Sequence, residues 1–179
     1  MKKLLVRGDD LGYSEGVTLG MLSAYEKGIV NSMAIMINMP YAKEAILLAK
    51  KHKGLCLGLH VNVTNGKALA PIDQIPTLVD ENGVFISSRF RREQLIKGEV
   101  LFNEDEAYLE AKYQIERYID WVGQLPEYID LHVLEVPELI NAVLRVYQEY
   151  QVPVCIYDKC FDESIHEQAM KQYEYYQQH

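Results

Sequence analysis

Short apolar runs alternate with longer stretches of helical period over the first third of this 179-residue chain, and that alternation restricts the fold most. Residues 4–6 read as a strand, followed by Arg7-Gly8-Asp9-Asp10-Leu11-Gly12. Residues 14–28 read as a helix, with Ser14 as cap, Val17, Met21, Ala24 and Tyr25 on one face, and Gly28 to end it. Residues 29–38 are rich in Val, Met, Ile and Ala, as in a strand buried on both faces, and Pro40 closes the run. A second helix over 41–53 sets Ala42, Ala45, Ile46 and Ala49 against a lysine face, and 55–63 is a third strand. Strand, helix, strand, helix, strand predicts an α/β fold with parallel strands and right-handed crossovers.

The later chain continues the theme after an interruption. Residues 65–92 are broken by Pro71, Pro76 and Asn82-Gly83 and read as a long loop, with a tight turn at Asp80-Glu81-Asn82-Gly83. A helix over 103–122 opens with Asn103 as cap and Glu106 completing a capping box. Glu110 and Gln114, one turn apart within it, read as part of a polar face. Then come a strand over 128–133, a helix over 137–150 with Pro at its first turn, a strand over 152–157 and a final helix over 162–179. No repeat or linker interrupts residues 1–179, so a single domain is expected.

Composition removes several classes of function. The net charge is −8, and the one basic cluster, Arg89, Arg91 and Arg92, reads as a solvated helical surface, so nucleic acid is not an expected partner. Three cysteines, Cys56, Cys155 and Cys160, form no CxxC pair; Cys56 and Cys155 read as buried thiols. Only three apolar residues follow Met-Lys-Lys, and no run approaches a membrane span, so a cytoplasmic protein without membrane attachment is expected.

In an α/β fold the chemistry sits at the carboxyl ends of the strands. Asp9 and Asp10 fall there, and adjacent acids at the end of a buried strand repel each other unless something positive joins them. A divalent metal meets that need, with one Asp as ligand and the other free to handle a proton; a plain Asp-Gly turn is the alternative. His60, within Gly58-Leu59-His60-Val61-Asn62-Val63-Thr64, falls on the same rim. His132 follows Asp130 near the end of a later strand, either as a second imidazole ligand with Asp130 behind it or as a half-buried histidine. His52, His166 and His179 read as surface residues.

Five segments, in order, resemble the YdjC-like carbohydrate deacetylases, a family that includes chitooligosaccharide deacetylases. They are Arg7-Gly8-Asp9-Asp10-Leu11-Gly12, Gly28-Ile29-Val30-Asn31-Ser32, Asn38-Met39-Pro40, Gly58 to Thr64, and Pro126-Glu127-Tyr128-Ile129-Asp130-Leu131-His132. Glu110 and Gln114 also resemble its helix before the last motif. The resemblance spans roughly residues 3 to 155 and implies an incomplete (β/α) barrel of mainly parallel strands, shortened at its carboxyl end. It implies a divalent metal, Zn²⁺ or Mg²⁺, held by Asp10, His60 and His132, with Asp9 as general base, and hydrolysis of the acetamide of N-acetylated sugars or oligosaccharides.

This chain departs from the family pattern in three places. Arg7 stands where the family usually has Asn. Val133-Leu134-Glu135-Val136 follows His132 where the family repeats His. The chain reaches His179 without a further His-Pro motif. A carbohydrate- or metal-binding descendant without turnover, or a fragment of a full enzyme, therefore stands as the alternative. The uncovered sheet edge of a shortened barrel leads to the expectation of a homodimer.

Overall fold

The computed structural model describes residues 5–99 and 102–157. Four strands, β1 (Arg7–Leu11), β2 (Ser32–Ile35), β3 (Cys56–Val61) and β4 (Ile129–Leu131), lie in sequence order in one wholly parallel sheet. Helices α1 (Glu15–Lys27) and α2 (Ala42–Ala49) connect the first three strands; α3 (Ser88–Ile96) and α4 (Glu104–Val122) lie between β3 and β4, and α5 (Pro137–Tyr150) follows β4. The protein is thus an α/β fold of parallel strands, as the alternation predicts. Among the described residues after α5 there is a single parallel bridge, Ile129 to Cys155, where a strand over 152–157 is expected. The expected helix over 162–179, with His166 and His179, lies outside the described residues.

Local chemistry explains where the elements start and stop. Ser14 accepts a hydrogen bond from the Val17 amide, and Asn103 accepts from Asp105 and Glu106. Glu106 does not reach back to Asn103; it accepts from the amide and hydroxyl of Thr77 in the long loop. The tight turn at residues 80–83 is present, with Asp80 accepting from the amides of Asn82 and Val84.

One face of the sheet packs on helices. Met33 and Ile35 of β2, Leu57, Leu59 and Val61 of β3, and Ile129 and Leu131 of β4 join Ile46, Ile115, Val143 and Val146 in a continuous core. Side chains alternate in a strand, so Ser32, Cys56, Gly58, His60, Tyr128 and Asp130 share the opposite face. Gly58 is required there. A Cβ on it would meet the Tyr128 ring at 2.4 Å, and Tyr128 reaches across to hydrogen-bond Ser32.

Two segments differ from expectation. Ser88–Ile96 is helical, capped by Ser87, where a loop to residue 92 is expected. Arg91 is not solvated: it is buried, donating to the Thr77 carbonyl and lying over the Phe102 ring at 4.6 Å, while Arg89 is exposed. Its position is where the helical period calls for an apolar residue, which hides the helix from a hydrophobicity pattern. Trp121, the one tryptophan of the sequence, sits at the end of α4 that leads into β4. Lys43 and Arg117 lie 5.7 and 5.1 Å from its ring centre.

Candidate metal centre

β1, β3 and β4 run parallel, so their carboxyl ends meet on one rim, and that rim carries Asp9, Asp10, His60 and His132. Asp10 Oδ1 lies 3.0 Å from His132 Nδ1 and 3.5 Å from His60 Nε2. The two imidazole rings meet edge to face with centres 5.2 Å apart. One ligand atom from each of Asp10, His60 and His132 lies within 4.8 Å of the others. Among the described residues Asp10 Oδ1 is buried without a hydrogen-bond partner, and the two ring nitrogens lie close to it. One carboxylate oxygen and two imidazole nitrogens converging on a shared space form a donor set that fits a divalent ion, with open positions left over.

The backbone is bent to produce this. Asp10 has φ 70° and Val133, just after His132, has φ 69°, both in the left-handed region that non-glycine residues avoid. Such conformations cluster where side chains are aimed for chemistry.

Each histidine is held from its far side. His60 Nδ1 lies 2.8 Å from Asp130 Oδ1, which leaves Nε2 facing Asp10. Asp130 therefore backs His60 and not His132, a correction to the pairing suggested by the Asp130-Leu131-His132 spacing. The register explains it: His60 and Asp130 are direct partners across β3 and β4, with side chains on the same face. The residue behind His132 is Asn65, whose Nδ2 lies 2.9 Å from Nε2.

Asn65 belongs to a buried polar chain that the sequence reading did not identify. Asn62 Oδ1 accepts from the amides of Thr64 and Asn65, and its Nδ2 donates to Asn38 Oδ1 and the Asn65 carbonyl. Gln114 clamps the Asn62 backbone, accepting from its amide at 3.0 Å and donating to its carbonyl at 2.6 Å. Glu110 accepts from Gln114 and from the amides of Leu69 and Ala70. Glu110 and Gln114 are thus buried and not a polar surface. The signal for the turn is Asn62 itself, two residues beyond His60, a residue type that folds its amide back on the chain.

Charge is concentrated here. Burial pulls the His60 pKa down, but Asp10 and Asp130 on its two nitrogens outweigh that and push it up to about 9. The imidazoles of His132 and His60 hold the Asp10 carboxyl well below the usual carboxylate range. Arg7 supplies the remaining positive charge: its Nε lies 2.6 Å from Asp9 Oδ1 and its Nη1 pairs with Asp130.

A parallel α/β sheet with Asp10, His60 and His132 clustered on its carboxyl rim defines the class: an α/β protein with a candidate metal centre. Residues 3–178 match the model of the YdjC-like protein family, and the chain belongs to that family. It is 31% identical over 159 residues to carbohydrate deacetylase 2 of Listeria innocua, covering 87% of this chain and 61% of the relative. It is 36% identical to a carbohydrate deacetylase of Geobacillus stearothermophilus, covering 84% of this chain and 58% of the relative. A chitooligosaccharide deacetylase of Serratia marcescens is 36% identical over 131 residues, 73% of this chain and 49% of that protein. The crystal structure of a candidate cellobiose-phosphate cleavage protein from Enterococcus faecalis V583 superposes with a TM-score of 0.77 at 28% identity, covering 97% of this chain and 64% of the other. The chain thus spans about 60% of the length of the first two curated relatives. Among the described residues no helix is long and apolar enough to cross a membrane.

Proposed function

We propose that this chain carries the centre of a metal-dependent carbohydrate deacetylase acting on N-acetylated sugars or oligosaccharides. The observation that carries the reading is the convergence of Asp10, His60 and His132, with Asp9 beside them. The names of the relatives support the substrate class. Zn²⁺ or Mg²⁺ held by Asp10, His60 and His132 would supply Lewis-acid polarisation of the acetamide carbonyl, and the two imidazoles favour Zn²⁺.

The chain's own residues do the rest. Asp9, the most exposed of the four rim residues, accepts a proton from water as the water oxygen bonds to the acetyl carbon. The carbon–nitrogen bond then breaks, Asp9 returns the proton to the amine nitrogen, and acetate and a free amino sugar result. Asp130 and Asn65 keep the two imidazoles turned toward Asp10.

The test is acetate release from N-acetylated chitooligosaccharides by protein loaded with Zn²⁺. Asp9→Asn is expected to lower the rate by at least about 100-fold, as loss of a positioned base does, while bound zinc stays the same. Equal rates in the variant, or equal rates after the ion is stripped, would sink the reading. One observation favours the alternative of a metal- or carbohydrate-binding descendant without turnover: both oxygens of Asp9 are already engaged by Arg7. Sugar binding with no acetate release would establish it. The same reading includes a homodimer that covers the sheet edge at β1, which pairs only with β2 among the described residues. A monomeric mass in light scattering would remove that part.

A further inference from the structure

Three side-chain amides stand in series between α4 and His132, and the first two each grip the backbone of the next. β3 ends at Val61. Gln114 gives Asn62 the two bonds that a neighbouring strand would: it accepts from the backbone N–H and donates to the C=O. Asn62 in turn holds Asn65 at both ends. Its Oδ1 accepts from the Asn65 amide at 3.0 Å, and its Nδ2 donates to the Asn65 carbonyl at 2.7 Å. Asn38 Nδ2 donates to the same carbonyl at 2.9 Å. With its backbone fixed, Asn65 sets its side chain 2.9 Å from His132 Nε2.

The outer end of the series gives it direction. A side-chain amide that turns over exchanges its donor for its acceptor. Glu110 Oε1 accepts from Gln114 Nε2 at 2.7 Å, and Glu110 Oε2 accepts from the amides of Leu69 and Ala70. Gln114 is thereby fixed with its nitrogen on Glu110 and its oxygen on the Asn62 amide. Glu110, Gln114 and Asn62 are fully buried, where a polar group that loses its partner is costly. The two histidines are therefore supported in different ways. One charged group, the Asp130 carboxylate, holds His60 directly. The far side of His132 meets a neutral series that is only as firm as its anchor on α4.

We propose that Gln114 is a positioning residue of the metal centre: from α4 it sets the direction of the His132 imidazole through Asn62 and Asn65. The proposal rests on the reading that Asp10, His60 and His132 hold an ion. Among the described residues Gln114 hydrogen-bonds to Asn62 and Glu110 and to none of those three, so its effect on the ion passes through Asn65.

The experiment is a double-variant cycle on the full chain. Zn²⁺ affinity is measured against a chromophoric chelator, and the absorption bands of the Co²⁺-loaded protein report ligand geometry. Gln114→Met keeps the length of the side chain and removes both bonds to Asn62. It is expected to weaken Zn²⁺ about 10-fold, as loss of a support behind a ligand does, and to shift the Co²⁺ bands in the same sense as Asn65→Ala. The variant carrying both changes is expected to lose about 10-fold as well, because residues acting in one series do not add. A loss of about 100-fold in the double variant, or unchanged affinity and bands in Gln114→Met, overturns the proposal. Hydrogen exchange in wild type tests it without any substitution: the Asn62 N–H is expected to exchange far more slowly than exposed loop amides, and exchange at their rate overturns it. No Zn²⁺ bound by wild type overturns instead the underlying reading of the centre.

Discussion

At the scale of single residues, the rim trades backbone comfort for the direction of its side chains. Asp10 and Val133 both hold left-handed backbone, at a cost of roughly 1–2 kcal/mol for a residue with a Cβ. Asp10 carries a candidate ligand, so its strain is tied to the site. Val133 is 38% exposed and β-branched, and its side chain makes little packing contribution to offset the cost. Val133→Gly is therefore expected to raise stability by about 1 kcal/mol in urea unfolding, the relief of strain exceeding the added freedom of the unfolded chain. Asn65 is the other residue whose role is local. Removing its contact with His132 Nε2 frees the ring to turn, and Asn65→Ala is expected to weaken Zn²⁺ about 10-fold in competition with a chromophoric chelator.

At the scale of elements, α4 does more than cover the sheet. Its Glu110 and Gln114 bind the backbone at Asn62, Leu69 and Ala70, and so tie the end of β3 to the long loop. Burial outweighs the hydrogen bonds that Glu110 accepts and pushes its pKa up from 4.5 to about 7. The folded protein then binds this proton more tightly than the unfolded chain does. The stability it contributes is fully present below pH 4.5 and is lost as pH rises through about 7. The loss is of the order of 3 kcal/mol at most, and Glu110→Gln is expected to flatten that part of the pH–stability curve in denaturant titrations. The sequence shows α4 clearly through Asn103 and its apolar stripe, yet not the burial of Glu110, because nothing in the helix reveals what the loop brings against it. The same limit applies to α3, where buried Arg91 occupies an apolar position, and to Asp130, whose partner depends on strand register. Asp9, Asp10, His60 and His132 were legible because strand ends converge in a parallel sheet; Asn65, on the loop beyond β3, was not.

At the scale of the whole molecule, the candidate centre joins β1, β3 and β4, which are far apart in sequence. An ion bound there therefore acts on the fold as a clasp and stabilises it by mass action. At a free concentration about 100 times the dissociation constant the gain is about 2.7 kcal/mol, which corresponds to a rise in Tm of roughly 5–10 °C for a chain of this size. Zn²⁺ is expected to raise the melting temperature by that amount, a chelator to reverse it, and His60→Ala to abolish it; an unshifted melt in wild type would count against the site.

The placement of Trp121 adds an optical consequence. Its indole lies beside Lys43 and Arg117 where α4 leads toward the amino end of β4, opposite the rim. Emission from this one tryptophan, excited apart from the tyrosines, follows the docking of α4 and the loss of its charged neighbours on unfolding, and stays dark to events at the strands' other end. Excitation of the indole thus isolates the scaffold's behaviour from that of the chemistry it holds.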